Sequence, residues 1–439
     1  MKNLFINNRF YIALVIIILV FIISFSFTHL FFIAQILFFG FIALCAFEIF
    51  ILYSKEGIIA SRIYPEKLSN GDENPFKIVM ENRYTFSTSL SIIDELPIQF
   101  QRRDTKWEVS LYSKENKEIN YTIRPTKRGE YDFGAVNIFA TSPIGFISRR
   151  FIMDQGVILP VYPSFLQMKK YEFAAFTQNL KDLGIKKVKR LGHTMEFEQI
   201  KDYVQGDDAR TINWKATARR NGLMVNQFQD QRSQQIYCVI DKGRQMRMPF
   251  EGLSLLDYAI NASLVMANIA IKKQDKAGLL TFSNKMSSML KAEKTNRQMF
   301  KMQEMLFNQK TYYLESNFEL LNSFVHTKIN QRSLLLLFTN FESFFSMKRQ
   351  LKYFKNMAKR HVVVVIFFHN TELDVLVNSN PQKMEEIYQQ AIAETTVFEK
   401  ELVVKELKRN GVHSILTKPQ DLTVNTINKY LELKARGVI

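Results

Sequence analysis

Residues 202–246 read DYVQGDDARTINWKATARRNGLMVNQFQDQRSQQIYCVIDKGRQM, a polar, charge-dense stretch that runs into a short apolar strand ending on Asp241. The strand segment QIYCVID is apolar at alternate and intervening positions alike, as a strand covered on both faces must be. Three compact apolar runs follow it, AGLLTF, SLLLLFTN and HVVVVIFF. Between them lie the helical stretches LSLLDYAINASLVMANIAIKK, NRQMFKMQEMLFN and NFELLNSFVHTKI. Strand alternating with helix predicts a doubly wound, Rossmann-like α/β domain over residues 234–439. Met384–Arg409 reads as a further long helix, HSILT as a short strand and Leu422–Ala435 as a closing helix. In such a sheet an aspartate at a strand's carboxyl end stands where ligands bind.

Upstream the rhythm is different. Over residues 58–164 the chain shows short alternating segments, among them FKIVMEN, LSIIDELPIQF, WEVSLYS and VILPVYP, separated by Asn-Gly, Pro and Arg-Gly punctuation. Period two at this spacing predicts an all-β sandwich, serving as a spacer or docking surface. Residues 165–233 are a basic connector and a motif helix. Lys186, Lys187, Lys189 and Arg190 cluster ahead of Gly192, a run that reads as a solvated face.

Residues 10–53 are almost wholly apolar, long enough for two membrane crossings at about 20 residues each. The expected spans are 10–27 and Leu30–Tyr53, forming a transmembrane helical hairpin over residues 1–57. A second apolar run follows the first at once, which a cleaved signal peptide would lack. Lys2 and Arg9 precede the hairpin, Lys55 and Arg62 follow it, and the turn carries no Lys or Arg. The positive-inside rule then puts both ends, and the soluble domains, on the cytoplasmic side of the cell membrane. Cys45 and Cys238 fall in apolar segments and suggest no disulfide framework. The formal charge of +17 suits a surface beside anionic lipid, where each well-placed Lys or Arg contributes about 1 kcal/mol. No nucleic acid is needed to explain it.

Three stretches carry a family resemblance: YTIRPTKRGEYDFGAVNIFATSPIGF, YVQGDDARTINWKATARRNGLMVNQF, and the strand pair QIYCVID with SLLLLFTNFES. They resemble the domain-of-unknown-function 58 (DUF58) family of bacterial membrane proteins, which implies that the α/β domain is von Willebrand factor A-like. The resemblance also implies a partner, a MoxR-type AAA+ ATPase, and an adaptor role in envelope or protein-complex assembly. The family's A-like domain usually carries an adhesion-type metal site, an Asp-x-Ser-x-Ser loop with a later Thr and a later Asp around Mg²⁺. Here the loop is Asp241-Lys242-Gly243-Arg244-Gln245, with Gly243 and Gln245 at the serine positions and Asn340 at the later aspartate. Ser316 is the candidate for the threonine position. Mg²⁺ favours hard oxygen donors, and a single carboxylate beside Lys242 and Arg244 serves it poorly. No cofactor is therefore expected, and Asp241 reads as a strand-end residue that caps nearby backbone amides.

The motif itself comprises Asp202, Gly206, Asp207, Arg210, Trp214 and Arg219. Asp207 or Asp208 is placed to cap a helix over residues 209–220, on which Arg210, Trp214 and Thr217 share one face. Trp and Arg dominate interaction hot spots. The same residues also suit an internal clamp, with Asp–Arg pairs and a buried indole joining the A-like domain to the sandwich. There is no phosphate-binding GxxxxGK[ST] loop, no HExxH, and GLSLL around Ser254 lacks the second glycine of a nucleophile elbow. The chain thus reads as a non-enzymatic membrane adaptor. The alternative is a membrane-bound hydrolase using Asp202, Asp207 and Arg210 for acid/base chemistry.

Overall fold

The computed structural model describes residues 3–25, 28–54, 57–102, 105–154, 156–164, 196–205, 207–220, 222–229, 233–311 and 313–439. Two compact units, Met1–Tyr162 and Pro163–Ile439, divide the chain. Both contain helices and sheets.

The first unit opens with β1 (Leu4–Ile6), α1 (Asn8–Ser24) and α2 (Thr28–Tyr53). It continues through β2 (Ile58–Ile63), β3 (Leu68–Ser69), β4 (Asn74–Asn82), β5 (Thr88–Asp94), β6 (Lys106–Leu111), β7 (Asn116–Ile123), β8 (Gly129–Phe133), β9 (Val136–Thr141), β10 (Ile147–Met153) and β11 (Val157–Tyr162). The sheets run β1-β10-β9-β5-β6, β2-β4-β7 and β3-β11-β8. Alternation explains their packing. Phe76, Ile78 and Met80 of β4 all point inward, and Ile78 and Met80 meet Leu90, Ile92, Ile138 and Ala140 in one core. Phe76 meets Tyr131, Phe133 and Leu159 in another. Each such side chain, once fully buried, contributes roughly 1.5–3 kcal/mol.

Helices α1 and α2 touch through Phe10–Phe41 and Phe21–Phe38 ring contacts, and most of their other apolar side chains are exposed. By length and composition Leu30–Tyr53 is able to cross a membrane; Leu255–Lys272 passes the same test but is buried along almost its whole length. The helix pair is rooted in the β-rich unit at both chain ends. β1 pairs antiparallel with β10, Leu4 opposite Arg149. The Leu52 carbonyl accepts from Tyr84 Oη at 2.7 Å and from Arg149 Nη1 at 2.6 Å. Glu48, the acid that interrupts the apolar run, accepts from the Gly145 amide at 3.1 Å and from the Ser142 hydroxyl. Of the four flanking cations, Lys2 and Lys55 lie outside the described residues. Arg62 departs from expectation: its side chain is fully buried, 2.6 Å from Asp94 Oδ1, with Nη2 on the Gly134 carbonyl. Its charge is neutralised inside the β-rich unit and is unavailable to a membrane surface.

The second unit begins with β12 (Glu196–Asp202), a 3₁₀ turn (Ala209–Thr211), α3 (Trp214–Arg220) and β13 (Met224–Gln229). β12 and β13 pair as a hairpin. The basic cluster Lys186, Lys187, Lys189 and Arg190 lies outside the described residues. Then come β14 (Gln235–Asp241), β15 (Pro249–Phe250), β16 (Leu253–Ser254), α4 (Leu255–Lys272), β17 (Lys276–Phe282), β18 (Met286–Glu293), α5 (Asn296–Phe307) and α6 (Phe318–Lys328). β19 (Leu334–Phe338), α7 (Phe344–Ala358), β20 (Val362–Phe368), α8 (Thr371–Val377), α9 (Met384–Arg409), β21 (His413–Thr417) and α10 (Leu422–Ala435) complete it.

The main sheet runs β18-β17-β14-β19-β20-β21. Counted from β14, that is the 3-2-1-4-5-6 order of doubly wound folds. Five strands are parallel and β18 is antiparallel to β17. Ile236, Cys238 and Ile240 pack toward α4, α5 and α10, while Tyr237 and Val239 pack toward α6, α7 and α9. The continuous apolar strand is therefore two alternating faces, each with its own core. Ser254 caps α4, accepting from the Asp257 amide at 3.2 Å, while Asp257 accepts from the Ser254 amide at 3.1 Å. Its hydroxyl belongs to a capping box.

Candidate functional site

From β14 the chain crosses to β17 over one face of the sheet, and it later returns to β19, β14's other neighbour, with α6 and α7 on the opposite face. The carboxyl ends of β14 and β19 consequently part, and a crevice opens there. Asp241 sits at this point with 2 % exposure. Its Oδ1 accepts from the Gly243 amide at 2.8 Å and from the Ser316 hydroxyl, and its Oδ2 accepts from Thr339 Oγ1 at 2.7 Å. Burial pushes the Asp241 carboxyl up, while the hydrogen bonds from Ser316, Gly243 and Thr339 pull it down. One side chain thereby joins the end of β14, the segment before α6 and the end of β19. Thr339 went unrecognised in the sequence. Ile240 pairs with Phe338 in the parallel ladder, so the hydroxyl that follows LLLLF stands level with Asp241, and that register was the available signal.

Of the three candidate metal donors, the fold brings Asp241 and Ser316 together and turns Asn340 elsewhere. Asn340 Oδ1 accepts from Lys400 Nζ at 2.9 Å. A Cβ on Gly243 would come within 2.0 Å of Ser316 Oγ and 3.1 Å of Asp241 Oδ1. Ser316 therefore fills the space that a serine at position 243 would need. Of these three candidates only Asp241 is a carboxylate, and Asn340 is held by a lysine ammonium, whereas Mg²⁺ is served best by several converging hard oxygens. Among the described residues no group of three or more His, Cys, Asp or Glu side chains has metal-binding proximity. Lys242 is also buried, its Nζ 2.8 Å from Gln309 Oε1, and burial lowers its pKa. Burial lowers the Lys400 pKa further, to about 8, against the opposing pull of Glu342 and Glu399.

The motif folds differently from the single helix expected over residues 209–220. Asp208 accepts from the Arg210 amide at 3.0 Å and caps only the 3₁₀ turn Ala209–Thr211. Ile212 then bridges to Val225, and α3 starts afresh at Trp214. Asn213 accepts from the Ala216 amide at 3.0 Å, donates to Asn226 Oδ1 at 2.8 Å and has its own amide on the Met224 carbonyl. Docking that segment to β13 is what breaks the helix, so Arg210 does not share a helical face with Trp214. Trp214 is 70 % exposed, and Arg210, Lys215, Arg219 and Arg220 are exposed as well. Asp207 pairs with Lys201 at 2.8 Å and accepts from the Val204 amide at 3.0 Å, which holds its pKa below the usual carboxylate range. Asp202 is exposed on β12, and Gly206 lies outside the described residues. Asp207 stabilises a turn.

A doubly wound α/β unit with a locked strand-end aspartate and an exposed Trp/Arg hairpin is the class these observations define. Residues 199–382 match the family described as protein of unknown function DUF58. The chain is also similar to the uncharacterized protein YeaD of Bacillus subtilis (strain 168), with 25 % identity over 219 residues, 48 % of this chain and 54 % of that protein. The chain thus spans about half the length of this curated relative. Among solved structures, the CARDB domain of the PF1109 protein from Pyrococcus furiosus is 15 % identical, covering 22 % of this chain and 91 % of its own with a TM-score of 0.16. The PapD-like domain 7 of human CEP192 is 10 % identical, covering 23 % and 84 % with a TM-score of 0.18. Scores this low carry no argument about fold or function.

Proposed function

We propose that this chain is a membrane-anchored, non-enzymatic docking protein of the DUF58 type, whose α/β unit is a von Willebrand factor A-like domain. Its partner in this reading is a MoxR-type AAA+ ATPase, with work in envelope or complex assembly. The observation that carries it is the exposure of Trp214, 70 % open, with Arg210, Arg219 and Arg220 also exposed in the same family-matched segment. A solvent-facing indole with exposed arginines in the same segment has the composition of an interaction hot spot. Asp241, the carboxylate best placed for chemistry, is spent on three internal hydrogen bonds, which supports a role without catalysis. The α1–α2 pair supplies the anchor. In this reading it spans the inner membrane, with both soluble regions cytoplasmic and anionic lipid beside them.

The test is crosslinking in cells followed by purification in mild detergent. An AAA+ ATPase that co-purifies with the native chain and is lost from a Trp214→Ala/Arg219→Ala variant supports the reading. Repeated capture of no ATPase, or equal capture by the variant, sinks it. A reporter fused after Ile439 that reads extracytoplasmic overturns the orientation.

A further inference from the structure

Beside Asp241, at the carboxyl ends of β14, β19 and β20, lies a crevice of about 350 Å³. Its walls are chiefly apolar, with Met248, Phe250, Phe341, Phe368, Leu373 and Val397 among them. Lys400 reaches into it from α9. Its ammonium donates to Asn340 Oδ1 at 2.9 Å and to the Phe341 carbonyl, and both acceptors are neutral. The other cationic groups on the wall have acidic partners. Arg244 lies 3.3 Å from Glu342, and His369 Nε2 lies 2.7 Å from Asp374 Oδ1. Glu399, next to Lys400 in sequence, accepts from the Phe344 amide at 3.1 Å.

An ammonium has three N–H donors, and two are in use. A cation so placed is costly to bury against neutral acceptors, and an anion is the group that lowers that cost most. The volume is within the range of small-molecule sites, where apolar walls and a few fixed polar groups set orientation. Lys400 has no carboxylate in contact and feels Glu342 and Glu399 only at longer range, so a ligand's single negative charge can complete its contacts, and the walls call for an apolar body behind it.

We propose that this crevice binds a monocarboxylate carried on an apolar body, the carboxylate meeting the third N–H of Lys400 and the body lying against Phe250, Phe341, Phe368 and Val397. A phosphate brings more charge than one ammonium balances and has no use for the aromatic walls. The site stands independently of the docking reading, since no residue of the 202–220 motif lines it.

Isothermal titration of the full chain in a neutral maltoside detergent with 3-phenylpropionate, 3-phenylpropanol and 3-phenylpropylamine tests it. The acid is expected to bind, with the alcohol at least about tenfold weaker and the amine weaker still. Lys400→Met removes the charge and Val397→Trp fills the crevice while leaving Lys400 in place, and each is expected to abolish binding of the acid. Near-UV circular dichroism checks that each variant is folded, and the Val397→Trp protein gives the background from partition into micelles. Equal binding of acid and alcohol overturns the proposal, as does acid binding that survives both substitutions or is absent from the native chain at millimolar concentration. Displacement of the acid by inorganic phosphate overturns the carboxylate assignment.

Discussion

Asp241 and the Trp214 hairpin lie within one stretch of 45 charge-rich residues, and the fold treats them in opposite ways. Asp241 is enclosed, each of its oxygens accepting a hydrogen bond from a different segment. The hairpin spends Asp207 and Asp208 on its own backbone and leaves Trp214 and the arginines outside. A polar residue in an interior is worth its desolvation only when its partners are complete, whereas on a surface its chemistry stays available to something else. Residue type alone did not separate the two regions; the completeness of their hydrogen bonding does.

Four experiments probe this contrast, from the largest expected effect to the smallest. Asp241→Ala leaves the Gly243 amide and the Ser316 and Thr339 hydroxyls without their acceptor. Hydrogen exchange of the β14 and β19 amides is expected to show a loss of roughly 2–5 kcal/mol, against about 1 kcal/mol or less for Asp241→Asn, whose amide keeps most of the bonds. A loss from the alanine variant no larger than that from the asparagine variant breaks the enclosed half of the comparison.

Lys400 has a folded pKa of about 8 against an ordinary 10.5. Between those values the unfolded chain holds more protons than the folded one, so stability rises with pH across the window and the full burial cost stands below about pH 8. The rise is expected to be up to roughly 3 kcal/mol. The Lys400→Met protein, followed by the same exchange measurement at pH 7.5 and pH 10, should lack it. An identical rise in both proteins removes Lys400 as the cause.

Gly243→Ser pushes a Cβ into Ser316 Oγ and is expected to cost about 1–3 kcal/mol. Ser316→Ala placed with it should recover part of that loss, an interaction energy visible in a double-mutant cycle by chemical denaturation. Strict additivity of the two changes would mean that the two positions do not compete for the space. Trp214→Ala is expected to move thermal stability by less than about 0.5 kcal/mol, as exposed positions do, while abolishing capture of the partner. A large thermal loss would mean that the indole is structural after all.

Much of the α/β unit was legible because buried parallel strands announce themselves as unbroken apolar runs and the covering helices alternate with them. QIYCVID, SLLLLFTN and HVVVVIFF lie on β14, β19 and β20. Elements with weaker patterns were missed. β18, MSSMLKAE, is an antiparallel edge strand with one partner and a half-exposed face, so its pattern has no continuous apolar run. The motif helix was overextended because helical spacing of Arg210, Trp214 and Thr217 says nothing of Asn213 docking on β13. Arg62 looked like a flank of the apolar hairpin because its acidic partner, Asp94, lies 32 residues away.

By itself the sequence determined the two apolar N-terminal segments, the β-rich stretch after them, the α/β alternation and the presence of an aspartate at a strand end, all of which follow from local periodicity. Only the tertiary structure decided what that aspartate does. Thr339 and Ser316 reach it from 98 and 75 residues away in the chain, and Lys400 reaches Asn340 from α9, 60 residues on. Hydrogen bonds depend on separations in space to within a few tenths of an ångström. Local periodicity sets which face a residue takes and leaves its distant partners undetermined.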